Sequence, residues 1–125
     1  MKILILILQI LAAIAFIMTG MMKIFTPYED LVIMVNMGWA EDFSGIQITI
    51  IGILETLGGL GLILPMVFKK YTFLIPLAAL GLVLVMVGAI ITHIGREESV
   101  IVNLVLLLLT FSVAYFKRDL ILNRS

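Results

Sequence analysis

The chain has 125 residues, of which 63% are hydrophobic and only 13% charged, about half the charged fraction of an ordinary soluble domain. A water-soluble fold of this length has too much surface for its volume to bury so many apolar residues, so its exterior is expected to face lipid. The formal net charge is zero and there is no cysteine, which excludes a disulfide framework, a thiolate metal site and a thiol relay within the chain. No basic patch with interleaved aromatics points to nucleic acid.

The first apolar run, residues 3–22, is long enough at 1.5 Å per residue to cross a hydrocarbon core of roughly 30 Å. Lys2 and Lys23 flank it. Ala13-Ile14-Ala15 has the small-x-small form of a signal-peptide cleavage site, but the run continues through Phe16, Ile17 and Met18, so a retained span is expected. From Thr26 to Ser44 the composition turns polar and acidic, with Tyr28 and Trp39 as interfacial aromatics. Pro27 suits the first turn of a short interfacial helix reaching about Met37, with Leu31, Met34 and Val35 on one face.

The second span is expected over residues 45–64, stopped by Pro65 and followed by a basic turn to Lys70. The third covers residues 71–93, with Pro76 near its start, where a missing amide donor costs least. The fourth, residues 100–116, is short for a crossing. The expected fold is therefore an all-α integral membrane four-helix bundle forming a single transmembrane domain. Lys2, Lys69, Lys70, Lys117, Arg118 and Arg124 collect at the end carrying both termini, against Lys23 and Arg96 opposite. The positive-inside rule then makes both termini cytoplasmic and suggests a bacterial-type inner membrane.

In lipid, helices associate through small residues and side-chain hydrogen bonds. Helical spacing predicts an interior stripe of Gln9, Ala12, Ala13, Phe16, Gly20 and Lys23 in the first span. The second carries Gly45, Thr49, Gly52, Glu55, Thr56 and Gly59, the third Ala78, Gly81, Gly88 and Thr92 beside Ala89 and His93, and the fourth Asn103, Thr110 and Lys117. The bland reading of these stripes is packing alone, for Gly20, Gly52, Gly59, Gly81 and Gly88 above all. One such glycine face could also pair two copies of the chain.

Glu55 is different, because an acid about ten residues into a span is costly in a bilayer. It is either a structural hydrogen-bonding group or a proton carrier, counter-ion or ligand contact. Lys23 and His93 end their spans on the outer side, roughly 10 to 15 Å above Glu55 by helical rise, so a direct Lys23–Glu55 pair requires tilt, an extended stem or a water. A single His without Cys makes a metal site an unexpected use of this pocket. The candidate site is a polar pocket opening outward and lined by Lys23, Thr49, Glu55, His93 and Asn103, and no catalytic residue is assigned.

The segment Gly20-Met21-Met22-Lys23-Ile24-Phe25, the segment Gly52-Ile53-Leu54-Glu55-Thr56-Leu57-Gly58-Gly59-Leu60 and a His closing the third span together resemble the DoxX-like family. The resemblance covers nearly the whole chain and carries over Gly20, Lys23, Glu55, Gly59 and His93. It implies a four-helix membrane protein of a kind linked to terminal quinol oxidase complexes and oxidative-stress assemblies. Two functions are weighed on this basis. The first is an accessory or assembly subunit of a membrane redox complex, with a quinone- or lipid-binding pocket and no catalysis by the isolated chain. The second is a small proton-coupled transporter using Glu55. An enzyme acting on a lipid is a third, weaker reading, because no nucleophile has a base at motif spacing.

Overall fold

A computed structural model describes residues 2–34 and 37–122. Helix α1 spans Lys2–Phe25, α2 Tyr28–Leu31, α3 Gly45–Phe68, α4 Leu74–Gly95, α5 Ile101–Phe116 and α6 Asp119–Leu122, and no strand occurs among the described residues. The helices α1, α3 and α4 are long and apolar enough to cross a membrane, and α5 is a shorter apolar helix. The long helices alternate in direction: α1 packs on α3 and α5, and α4 packs on the same two, giving a ring of four. Much of the outward surface is Ile, Leu and Val left uncovered by the chain itself, as expected of a bundle solvated by hydrocarbon.

The contact of α1 with α3 is the most extensive in the bundle. It is made by backbone against backbone: a Cβ placed on Gly20 would lie 2.7 Å from Gly52 O, and one on Gly52 would lie 2.7 Å from Gly20 O and 2.9 Å from Lys23 Cβ. A Cβ on Gly59 would lie 2.7 Å from Ile17 Cγ1 and 3.0 Å from the Ala13 carbonyl oxygen. The buried face of α1 is Ile5, Gln9, Ala12, Ala13, Phe16, Gly20 and Lys23, the stripe that helical spacing picks out, with Ile5 added.

On α4 the structure corrects the expectation. Its buried face is Ile75, Pro76, Ala79, Leu82 and Met86, not the glycine line, and a Cβ on Gly81 or Gly88 would meet nothing within 4 Å. Nearly every face of this helix is apolar, so small residues are the main guide to its orientation; as packing positions Gly81 and Gly88 fail, whereas Ala78 of the same stripe does pack on α3. The glycines that do receive α4 are on α3: Gly58 accommodates Leu82, and Gly61 accommodates Ala78.

Two further boundaries differ from the sequence reading. Helix α3 runs through Pro65 to Phe68, where Lys69 takes the left-handed conformation and the Lys69 and Lys70 amides both bond the Pro65 carbonyl. Proline removes one amide donor but falls in the closing turn, and Gln9 of α1 braces that level by donating to the Leu62 carbonyl at 2.5 Å. The start of α3 is set by a capping box, with Gln47 N donating to Ser44 Oγ and Ser44 N to Gln47 Oε1.

The expected helix from Pro27 to Met37 is only one turn, Tyr28–Leu31, followed later by a 3-10 turn at Gly38–Asp42. Val35 and Asn36 lie outside the described residues, as do Met1 and residues 123–125 with Arg124. Leu31, Met37, Ala40 and Ile48 form their own buried cluster with Tyr28, Trp39 and Phe43 packed against it. Tyr28 Oη donates to the Phe43 carbonyl at 2.6 Å and to Ala40 O at 3.2 Å. The segment therefore folds back over one end of the bundle, held by local packing that a periodicity argument does not register.

The glycine geometry makes a paired expectation. Gly52→Ala should destabilise the bundle by about 1–3 kcal/mol, because its Cβ strikes backbone that cannot yield. Gly81→Ala, in open space on a helix, should stabilise by about 0.5–1 kcal/mol through helix propensity. Thermal unfolding of the two variants in one detergent checks both signs.

Candidate functional site

The bundle is not evenly filled. Toward the end that carries the termini, Ala12, Ala13, Phe16, Leu62, Ile75, Ala79, Leu82, Val113 and Ala114 make a close-packed core. Toward the opposite end α1, α3, α4 and α5 part around a cavity of about 910 Å³. Met37, Trp39 and Phe43 of the folded-back segment line its outer end as a lid, together with Glu98 and Ser99 of the turn after α4. Leu84 on α4 and Val102 on α5 line the cavity yet remain 72% and 70% exposed. They mark a mouth through the side of the bundle, into the space that lipid would occupy.

Lys23 and Glu55 share the cavity wall and pair directly, with Lys23 Nζ donating to Glu55 Oε1 at 2.6 Å. Their side chains are 8% and 4% exposed. The separation expected from the sequence disappears for two reasons. First, Gly20 lies level with Gly52 to Thr56, which puts Lys23 only about one helical turn beyond Glu55. Second, side chains lean toward their helix N-terminus, so in antiparallel α1 and α3 the two lean toward each other. Removing one partner would leave an uncompensated buried charge, a loss of about 3–5 kcal/mol.

From this pair a line of contacts leads outward. Lys23 Nζ sits 5.6 Å from the Trp39 ring centroid, a cation–π contact. Trp39 meets the His93 ring edge-on at 5.9 Å. His93 Nδ1 lies 2.8 Å from Glu98 Oε1, and Arg96 joins Glu98 Oε2 at 3.3 Å to Asp42 Oδ1 at 3.0 Å. A carboxylate acceptor requires the imidazole proton on Nδ1. Arg96 thereby latches the lid, through Asp42, to the turn that carries Glu98.

Of the expected site residues, Lys23, Glu55, His93 and Asn103 all line the cavity. Asn103 Nδ2 also approaches the Met86 sulfur at 3.9 Å. Thr49 is not brought to the cavity; its hydroxyl donates to the Gly45 carbonyl one turn back. Gly88 borders the cavity instead of packing a helix. The sequence reading missed Trp39, Glu98 and Met86 as part of the site. An acid five residues after a helix-terminal His was a readable hint for Glu98, whereas nothing local places Trp39 over Lys23.

A family model described as the DoxX-like family matches residues 7–114. No curated protein and no solved structure matches the chain.

The latch is pH-sensitive in a defined direction. The hydrogen bond from His93, the largest effect, outweighs desolvation and with the added help of Arg96 holds the Glu98 carboxyl below the ordinary glutamate range, while Asp42 and Glu98 raise the Arg96 guanidinium. A lowered carboxyl stabilises the folded arrangement above its unfolded value of about 4.3, and that contribution is lost as pH falls through the lowered folded value. Trp39 is the chain's single tryptophan, so its emission should shift to the red on acidification below about pH 4.3. In Glu98→Gln the shift should be partly present at neutral pH and flatter below it; an acid profile identical to wild type would show that Glu98 is not the latch.

Proposed function

The chain belongs to the DoxX-like family, and from that premise we propose that it is an accessory or assembly subunit of a membrane redox complex, holding a quinone or lipid in the cavity around Glu55. Family membership together with helices apolar and long enough to cross a bilayer makes it a small multi-pass membrane protein. In this reading α5 is the fourth span, both termini are cytoplasmic and the membrane is a bacterial-type inner membrane. The charge distribution supports that orientation: Lys2, Lys69, Lys70, Lys117 and Arg118 lie at the end of the termini, with Lys23 and Arg96 at the other.

The observation that carries the pocket reading is a cavity of about 910 Å³ with mostly apolar walls, to which each of the four apolar helices contributes a polar side chain, Lys23, Glu55, His93 and Asn103. That is the usual form of a site for an amphiphilic small molecule. Lys23, His93 and Asn103 would hold the head group, and Val85, Val102 and Leu106 would flank a tail. A quinone bound there would supply redox chemistry; the chain's own part is to bind it, orient it and shield it from water beneath the lid. The association with quinol oxidase complexes implied by the family resemblance is the ground for naming a redox partner.

A second reading is a small proton-coupled transporter. It is favoured by one feature, that the Glu55 carboxylate is both 3% exposed and on the wall of a cavity whose outer end reaches Glu98. Here Lys23 would have to release Glu55 for a cationic substrate. Proteoliposomes showing no substrate-driven proton flux would remove it.

Native mass spectrometry of the gently solubilised protein is the direct test of the first reading. The wild type is expected to retain a quinone or lipid mass, with partner subunits in the same preparation, and Glu55→Gln to retain less of the small molecule. A chain that is empty and alone in both forms would refute the proposal.

A further inference from the structure

We propose that the cavity selects an uncharged head group bearing a hydroxyl, carried on an apolar tail, and that Lys23 and Glu55 read that hydroxyl together. The inference rests on the pocket reading above and narrows it to one ligand chemistry.

An ammonium has three N–H donors, and Lys23 spends one of them on Glu55 Oε1. Among the described residues no group donates to Glu55 Oε2, and the single side-chain polar atom that is sealed off without a partner is Gln9 Oε1. With Glu55 on the cavity wall and Oε1 taken by Lys23, Oε2 is the carboxylate oxygen left for a ligand there. Donor and acceptor capacity stand side by side, 2.6 Å apart through Nζ and Oε1, on a pair that is otherwise enclosed.

A hydroxyl satisfies both: its oxygen accepts from Lys23 Nζ and its hydrogen goes to Glu55 Oε2. A carbonyl or ether oxygen accepts only, and covers Oε2 without giving it a donor, the arrangement in which a desolvated acceptor is most costly. Charge is disfavoured as well. A carboxylate competes with Glu55 for Lys23, an ammonium competes with Lys23 for Glu55, and either leaves a displaced charge in the wall. The mouth beside Leu84 and Val102 fixes the rest of the molecule as an apolar tail lying toward lipid.

Trp39 lines the cavity and is the chain's single tryptophan, so its fluorescence reports binding with no activity assay. The full-length protein in lipid nanodiscs is titrated with a decyl hydroquinone, the matching quinone, the hydroquinone dimethyl ether, decanol and decylammonium. The hydroquinone is expected to bind about tenfold or more tighter than the quinone and the ether, and decylammonium more weakly than the hydroquinone. In Glu55→Gln that preference should shrink to within about threefold, as the charged acceptor is gone. The wild-type comparison stands even if the variant fails to fold. Decanol binding as well as the hydroquinone supports the proposal with an aliphatic alcohol as the natural source; a clear hydroquinone advantage over decanol supports it with an aromatic one. Equal binding of hydroquinone, quinone and ether overturns hydroxyl selection while leaving the pocket reading intact. Tightest binding of decylammonium overturns it in favour of cation exchange, and no binding by any probe overturns the pocket reading and this inference together.

Discussion

The Lys23–Glu55 pair sets the terms for the rest of the molecule. Two ionisable groups so deep among apolar helices are tolerable only in contact, and contact at 2.6 Å requires α1 and α3 to approach closely in one register. Gly20 and Gly52 permit that approach, because any Cβ at either would strike the opposing backbone. The antiparallel run of the two helices does the remainder by tilting both side chains toward each other. An ion pair usually regarded as a liability in lipid is thereby tied to the tightest helix contact in the bundle.

Once α1 and α3 are locked, the other elements divide the bundle into a solid half and a hollow half. Leu82 and Ala78 of α4 seat against Gly58 and Gly61 of α3, and the core from Ala12 to Val113 closes the end of the termini. Beyond Met86 no such interdigitation continues, and the space is lined rather than filled. The lid over it is a small hydrophobic cluster closed on itself by Tyr28 hydrogen bonds, packed on Ile48 of α3 and Met22 of α1, and tied to the turn after α4 by the Asp42–Arg96–Glu98 latch. Side-chain interdigitation thus fills the end of the termini, whereas at the end where the cavity, the ion pair and His93 meet the backbone contact of α1 with α3 is joined by polar contacts.

How much was legible beforehand varies by element for identifiable reasons. Helix α1 has one polar-and-small face against a background of Ile and Leu, and its interior stripe could be read residue by residue. Helix α4 offers no such contrast, so Gly81 and Gly88 were assigned to packing although one is turned outward and the other borders the cavity. Lys23, Glu55, His93 and Asn103 stood out as polar residues in apolar runs, and all four line the cavity. Thr49 stood out equally, yet its hydroxyl is satisfied by its own helix, an option open to threonine wherever it lies.

Composition and hydropathy pattern alone determined that this chain is helical, that its long helices are built for lipid, and that a few ionisable residues are anomalous enough to need partners. These are local properties, set by the cost of exposing backbone polar groups or charge to hydrocarbon. Which partners they take was decided only by the tertiary structure. Helical rise counted from span ends placed Lys23 well above Glu55, while the register of Gly20 against Gly52 brought them into contact, and the fold-back of the segment holding Trp39 placed an aromatic ring over that pair. Register and fold-back depend on contacts between residues far apart in the chain, and a bilayer that treats all apolar faces alike leaves no trace of them in the hydrophobic pattern.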